Sequence, residues 1–255
     1  MEAKASAEPS TQNPQSPTPK STKNRDFLLH LEAYLAKRDG VDKLLKISRY
    51  STKIILASSL LPDSQTRLKS FESSVGLSRK AFRLGKFIQD INTLRFSCFK
   101  SHQDLMFSII AYGGEGFYYF VEQFVWLAKS GLIDKKNLSR LQKMSAWFEF
   151  IGYIGSVSLK VRELRRISED EACLVSSIEI SGVMGIGCAE ELERLRKLKE
   201  KKVMKRISVV QDLADGLMAL ADIRDGKGRL SAPLLISSVG LVSAIISTHK
   251  NWISC

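Results

Sequence analysis

The chain has 255 residues, 44% of them hydrophobic, which is enough for one or two domains with a core or for buried membrane segments. Its 39 Lys and Arg against 27 Asp and Glu leave a formal charge of +12, which calls for a polyanionic surface, either nucleic acid or an anionic membrane. Four scattered cysteines, Cys98, Cys173, Cys188 and Cys255, form no CxxC pair. They suggest neither a zinc site nor a disulfide framework, and they fit a reduced, cytosol-facing environment.

Residues 1–24 hold Pro9, Pro14, Pro17 and Pro19 among Ser, Thr and Gln. That composition cannot bury apolar surface and predicts a disordered tail, with no apolar run of the kind a secretory signal needs. Beyond Arg25 only Pro62 and Pro233 interrupt the chain, and long stretches rich in Leu, Lys, Glu and Ala predict an all-α protein. A first helix is expected over Asp26–Lys37 and a second over Val41–Leu61, ending at Leu60-Leu61-Pro62-Asp63. Gln65–Phe96 follows as a third helical stretch. Leu105–Ala128, Met144–Leu159 and Ala172–Ala189 are apolar, each carrying one or two acids. Glu190–Arg206 is a charge run with eight basic and four acidic residues, and Ile207–Ile223 is amphipathic again.

A bilayer-spanning helix needs about 20 mostly apolar residues. Leu230–His249 has no formal charge and nine Leu, Ile or Val, against five serines and Pro233. It reads either as a crossing or as a buried helix. Gly240 and Ala244 form a small-xxx-small pair that lets another helix pack closely. Leu105–Ala128 is long enough as well, but Glu115 and Glu122 would each cost roughly 2.5–3.5 kcal/mol at mid-membrane.

Within the third stretch, Leu77, Ala81, Leu84, Phe87, Ile88, Ile91 and Leu94 fall on an arc of about 140° at 100° per residue. Arg79, Arg83, Lys86 and Asp90 lie opposite, with Lys80 at the boundary and Phe82 pointing away from the stripe. Such a helix suits a membrane interface, where basic stems snorkel and each charge contributes about 1 kcal/mol near an anionic leaflet. The same periodicity describes a core helix with a solvated basic face, so both readings stand on pattern alone. No G-x-S-x-G elbow, P-loop or H-E-x-x-H occurs, and His30, His102 and His249 are far apart. No enzyme, metal or cofactor is expected.

The stretches LAKRDGVDKLLKISRYSTKIIL, SVGLSRKAFRLGKFIQDI, AYGGEGFYYFVEQFVWLAKSGLI and QDLADGLMALADIRDGKGRLSAPLLISSVGLVSAIISTHKNW resemble the peroxin-11 family, in that order along the chain. The resemblance implies a multi-helix, multi-pass integral protein of the peroxisomal membrane with both termini cytosolic. It implies membrane elongation, proliferation and division of the organelle through a basic amphipathic helix. By that resemblance the membrane-binding residues are Arg79, Lys80, Arg83 and Lys86, with Leu77, Leu84, Phe87, Ile88 and Ile91 as the apolar face. The partners implied are an anionic phospholipid membrane, other copies of the chain and related family members, and a dynamin-type fission machinery with its membrane adaptor; no nucleic acid is expected. The expected organisation is a tail (1–24), a cytosolic or interfacial amphipathic region (25–100) and membrane-associated helices (101–189). A charged loop with an amphipathic helix (190–229), a transmembrane helix (230–249) and a short tail (250–255) complete it. The acids within apolar segments leave a second function open, a solute pore of the same membrane.

Overall fold

The computed structural model describes residues 27–58, 62–97, 101–183, 189–226, 228 and 231–255, with side chains described outside 181–183. The tail expected over 1–24, Cys98 and Cys188 lie outside them. Every regular element among the described residues is helical: α1 (Phe27–Ala36), α2 (Arg38–Ala57), α3 (Gln65–Phe82), α4 (Phe87–Phe96), α5 (His102–Ser108), α6 (Gly114–Ser130), α7 (Leu138–Val183), α8 (Ala189–Ile223) and α9 (Pro233–Ile253). A single π-turn over Ile109–Gly113 joins α5 to α6.

Several segments that the sequence separates are continuous. Met144–Leu159 and residues 172–183 of the stretch Ala172–Ala189 belong to one helix of 46 residues, about 69 Å at 1.5 Å per residue, while Ala189 opens α8. The charge run Glu190–Arg206 and Ile207–Ile223 share α8, 35 residues long. Neither stretch contains a proline to end it. Where α7 and α8 run side by side, Lys205 pairs with Glu163 at 2.5 Å and Lys202 with Glu171 at 2.6 Å. Cross-helix pairs of this kind let a highly charged stretch remain helical against a partner.

The opposite happens at Gln65–Phe96, expected as one helix. It breaks at Arg83–Lys86, between α3 and α4. Gly85 there has φ +73°, a left-handed conformation that costs glycine nothing and a side-chain-bearing residue about 1–2 kcal/mol. The break falls inside the stretch whose periodicity suggested a single amphipathic helix.

Packing sets the helices in a closed ring: α2 lies against α3, α3 against α6, α6 against α7, α7 against α8, α8 against α9, and α9 returns to α2. α4 packs on α6 outside this ring. α6 and α7 cross closely, and a Cβ on Gly114 would stand 2.6 Å from the Gly152 backbone nitrogen. The α1 end meets the C-terminus: Phe27, His30 and Tyr34 surround Trp252, and His30 Nε2 lies 2.9 Å from the Trp252 carbonyl oxygen.

Candidate functional site

The ring encloses a cavity of about 530 Å³ lined from all six helices. The lining begins with the sequence of α2, where Lys43, Lys46, Arg49 and Lys53 recur every three or four residues and so share one face. The neighbouring α3 contributes Arg79 and Lys80, Arg83 follows at its C-terminal end, and α6, α7 and α8 supply most of the acids.

Ion pairs cross this interior in layers. Arg79 Nε donates to Asp42 Oδ1 at 3.0 Å, and Arg83 Nε approaches the same oxygen at 3.5 Å. Arg83 Nη1 also donates to the Tyr118 hydroxyl at 2.7 Å. One layer on, Lys80 pairs with Glu122, which accepts a further bond from Ser145 at 3.3 Å. Lys46 donates to Asp215 at 2.8 Å and to Ser243 at 2.7 Å, while the Ser243 hydroxyl donates to Asp215 at 2.6 Å. Ser243 and Ala244 are fully buried. Lys160 and Ser156 share Asp212. Charges taken from water are costly unless paired and hydrogen-bonded, and each of these pairs draws its two members from different helices or helix ends.

The residues singled out from the sequence are distributed accordingly. Arg79 is 4% exposed, Lys80, Arg83 and Lys86 are half-buried, and Lys86 reaches Asp39 at 3.3 Å. In this conformation the basic side of the segment therefore faces the bundle. Its apolar side faces out: Ile88 is 52% exposed and Ile91 47%, while Leu77, Leu84 and Phe87 are half-buried. Phe87 stacks edge-on against Phe120. Gly240 lies on the α2–α9 crossing, where a Cβ would come within 2.3 Å of the Tyr50 ring.

The outward apolar surface continues around the ring. Phe117, Phe120 and Phe124 project from α6, Trp147, Ile151 and Ile154 from α7, and Leu234, Leu235, Val242 and Ile245 from α9. Soluble monomers seldom expose patches of this extent. α9, at 21 residues, is the one helix among the described residues long and apolar enough to cross a membrane. The other ring helices carry polar residues on their inner sides, which lowers their average hydropathy without altering their outer faces.

Asp42, Asp215, Tyr118 and Ser243 form the interior with the predicted basic residues and were not among the residues the sequence singled out. The basic stripe on α2 was a usable signal for the first, since Asp42 and Lys46 stand four residues apart on one face. Asp90 on α4 is 8% exposed and its Oδ2 has no hydrogen-bond partner among the described residues. Burial, reinforced by Glu115, pushes its carboxyl up to about 7. Outside the ring, Asp104 on α5 accepts from Arg166 at 2.5 Å and meets Arg162 at 3.0 Å, and those contacts hold its carboxyl below the ordinary range. Among the described residues no three potential ligands cluster in a way that could hold a metal ion.

A family model described as Peroxisomal biogenesis factor 11 (PEX11) matches residues 28–252. The chain is 67% identical to Peroxisomal membrane protein 11A of Arabidopsis thaliana over 236 residues, covering 91% of this chain and 95% of that one. It is 54% identical to Peroxisomal membrane protein 11-3 of Oryza sativa subsp. japonica over 232 residues, 91% of each chain. Peroxisomal membrane protein 11B of Arabidopsis thaliana is 31% identical over 238 residues, covering 89% of this chain and 98% of that one. No solved structure matches significantly. With its match running from α1 through α9, the chain belongs to the Peroxisomal biogenesis factor 11 family.

Proposed function

We propose that this chain is a multi-pass protein of the peroxisomal membrane that binds and remodels that membrane, promoting elongation, proliferation and division of the organelle. One observation carries the reading: the bundle is apolar outside and charged inside, the arrangement a hydrocarbon solvent favours. The names of its relatives supply the membrane. α9 spans about 31 Å at 1.5 Å per residue, the thickness of a bilayer's hydrocarbon core. The packing of α1 on Trp252 brings both ends of the described chain together, which supports termini on one side, the cytosolic one.

Remodelling falls to the α3–α4 segment. Ile88 and Ile91 form the part of it that enters one leaflet, and a wedge in one leaflet favours curvature. Arg79, Lys80, Arg83 and Lys86 meet anionic headgroups when the segment swings away from its internal carboxylates. Other copies of the chain, related family members and a dynamin-type fission machinery with its adaptor complete the division step.

The test is tubulation of giant vesicles containing anionic lipid by the reconstituted full chain. Ile88→Asp with Ile91→Asp should abolish tubules while alkaline carbonate still leaves the protein in the membrane. Unchanged tubulation by that variant would falsify the wedge.

A second reading, a solute pore, is favoured by the cavity. Its lining on α7 runs from Ser139 to Lys160, about 30 Å along the helix, and exposed Lys129 and Lys143 stand at one end. Single-channel recordings should then change with Glu122→Gln, and absence of any conductance removes this reading.

A further inference from the structure

Three cations share one carboxylate in the wall of the cavity. Asp42 is approached by Arg79 at 3.0 Å, Arg83 at 3.5 Å and Lys43 at 3.6 Å. All three cations line the cavity, and Asp42 does not. They therefore stand between it and the open volume, with two positive charges uncompensated. Lys46 and Lys86 are close enough to add to the repulsion, although each has its own carboxylate, Asp215 and Asp39. The acids elsewhere in the lining do not restore balance, since twelve basic residues face seven acidic ones.

Arg79 Nη2 is buried and has no hydrogen-bond partner among the described residues, although Arg79 is 4% exposed and its Nε is paired. A buried guanidinium N–H without an acceptor costs the desolvation of a charged donor. An acceptor from outside the chain would remove that cost, and a fork of guanidinium donors suits a phosphate or carboxylate oxygen.

We propose that Arg79, Arg83 and Lys43 form a binding site for a phosphate monoester dianion inside the six-helix ring. A monoester carries about −1.5 to −2 charges near neutral pH and three strong acceptor oxygens, which matches the two surplus charges and the free guanidinium N–H. The cavity volume lies within the range of small-molecule pockets, roughly 300–1,000 Å³, so the organic part of the ester fits beside its phosphate. A soluble organic phosphate and the headgroup of phosphatidic acid present the same chemistry. The site takes Arg79 and Arg83 in their inward position and shares them with the membrane-bending reading, whereas Lys43 belongs to the site alone and separates the two.

The experiment uses the full chain in phosphatidylcholine nanodiscs, titrated with glycerol 3-phosphate by calorimetry, with glycerol as the uncharged control. Saturable binding of the phosphate and none of glycerol is expected, tightening between pH 5.5 and 7.5 as the second phosphate proton, with a pKa of about 6, is lost. Arg79→Gln should weaken binding at least about tenfold, the equivalent of one charge-assisted hydrogen bond. If that variant does not fold, Lys43→Gln decides, because half-buried Lys43 makes the longest of the three contacts to Asp42 and its loss leaves Asp42 paired with Arg79. It should weaken binding several-fold. A parallel arm measures phosphorus resonances in nanodiscs containing phosphatidic acid. A shifted headgroup signal that Lys43→Gln abolishes, without glycerol 3-phosphate binding, assigns the site to the lipid. Absence of both signals, or binding unaffected by the variant, overturns the site.

Discussion

Asp42 accepts a 3.0 Å hydrogen bond from Arg79 across thirty-seven residues of chain, and both side chains are almost wholly buried. The pair joins α2 to α3 and also neutralises part of Arg83. Removing one partner of a buried pair leaves an uncompensated charge, at a cost of about 3–5 kcal/mol. Asp42→Ala should therefore lower the unfolding free energy of the detergent-solubilised protein by about that amount, and Asp42→Asn by less. Thermal or denaturant unfolding followed by circular dichroism measures both, and an Asp42→Ala loss below about 1 kcal/mol would show the pair to be dispensable.

Glu163 provides the contrast. It pairs with Lys205 at 2.5 Å and Lys201 at 3.7 Å, with 38% of its side chain exposed. Exposed pairs contribute about 0–1 kcal/mol and are screened by salt. Glu163→Ala should cost less than about 1 kcal/mol, and that cost should vanish in high salt. Under the same salt the Asp42→Ala defect should persist.

Asp90 makes α4 sensitive to pH. Its carboxyl is raised from 3.8 to about 7 by burial and by Glu115, with Lys86 opposing. The folded state thus holds a proton there that the unfolded chain has released, so stability falls as pH rises from about 4 to about 7 and levels beyond. The full penalty is on the order of 2–4 kcal/mol. Asp90→Asn should match the wild type in melting temperature at the acid end and exceed it at pH 8. Equal differences at both ends of the range would show that Asp90 does not titrate within it.

Gly240 sets the separation of α2 and α9. A Cβ there would lie 2.3 Å from Tyr50 Cε1 and 2.4 Å from Cδ1, so even Ala must displace the ring. Overpacking of this kind costs about 1–3 kcal/mol. Gly240→Ala should destabilise the fold by that amount, and Tyr50→Val in the same chain should recover part of it. A double variant worse than the sum of the singles would place the clash elsewhere.

Much of this architecture is legible in the residues. Scarcity of proline after the first 24 residues and the Leu, Lys, Glu and Ala content specify helices. The run bounded by Arg229 and Lys250 picks out α9. The spacing of Leu77, Leu84, Ile88 and Ile91 identifies an apolar side. The helix ends were less legible. Gly85 breaks α3 from α4 because its left-handed φ is available to glycine, and nothing in the periodicity distinguishes that glycine from a tolerated one. The charged join between Met144–Leu159 and α7's later turns reads as a boundary but remains helical.

Periodicity defines two sides of a helix, and that much the order of residues determined for the segment around Arg79. Which side turns inward is a separate matter, decided by the tertiary structure. It depends on partners far away in sequence: Arg79 finds Asp42 at a separation of 37, Lys80 finds Glu122 at 42, and Lys46 finds Asp215 at 169. Each charge is stabilised inside only because another helix brings its counter-charge to within hydrogen-bonding distance. A local pattern carries no record of that meeting. The basic residues that looked like the outer face of one helix became, by closure of the ring, the inner wall of six.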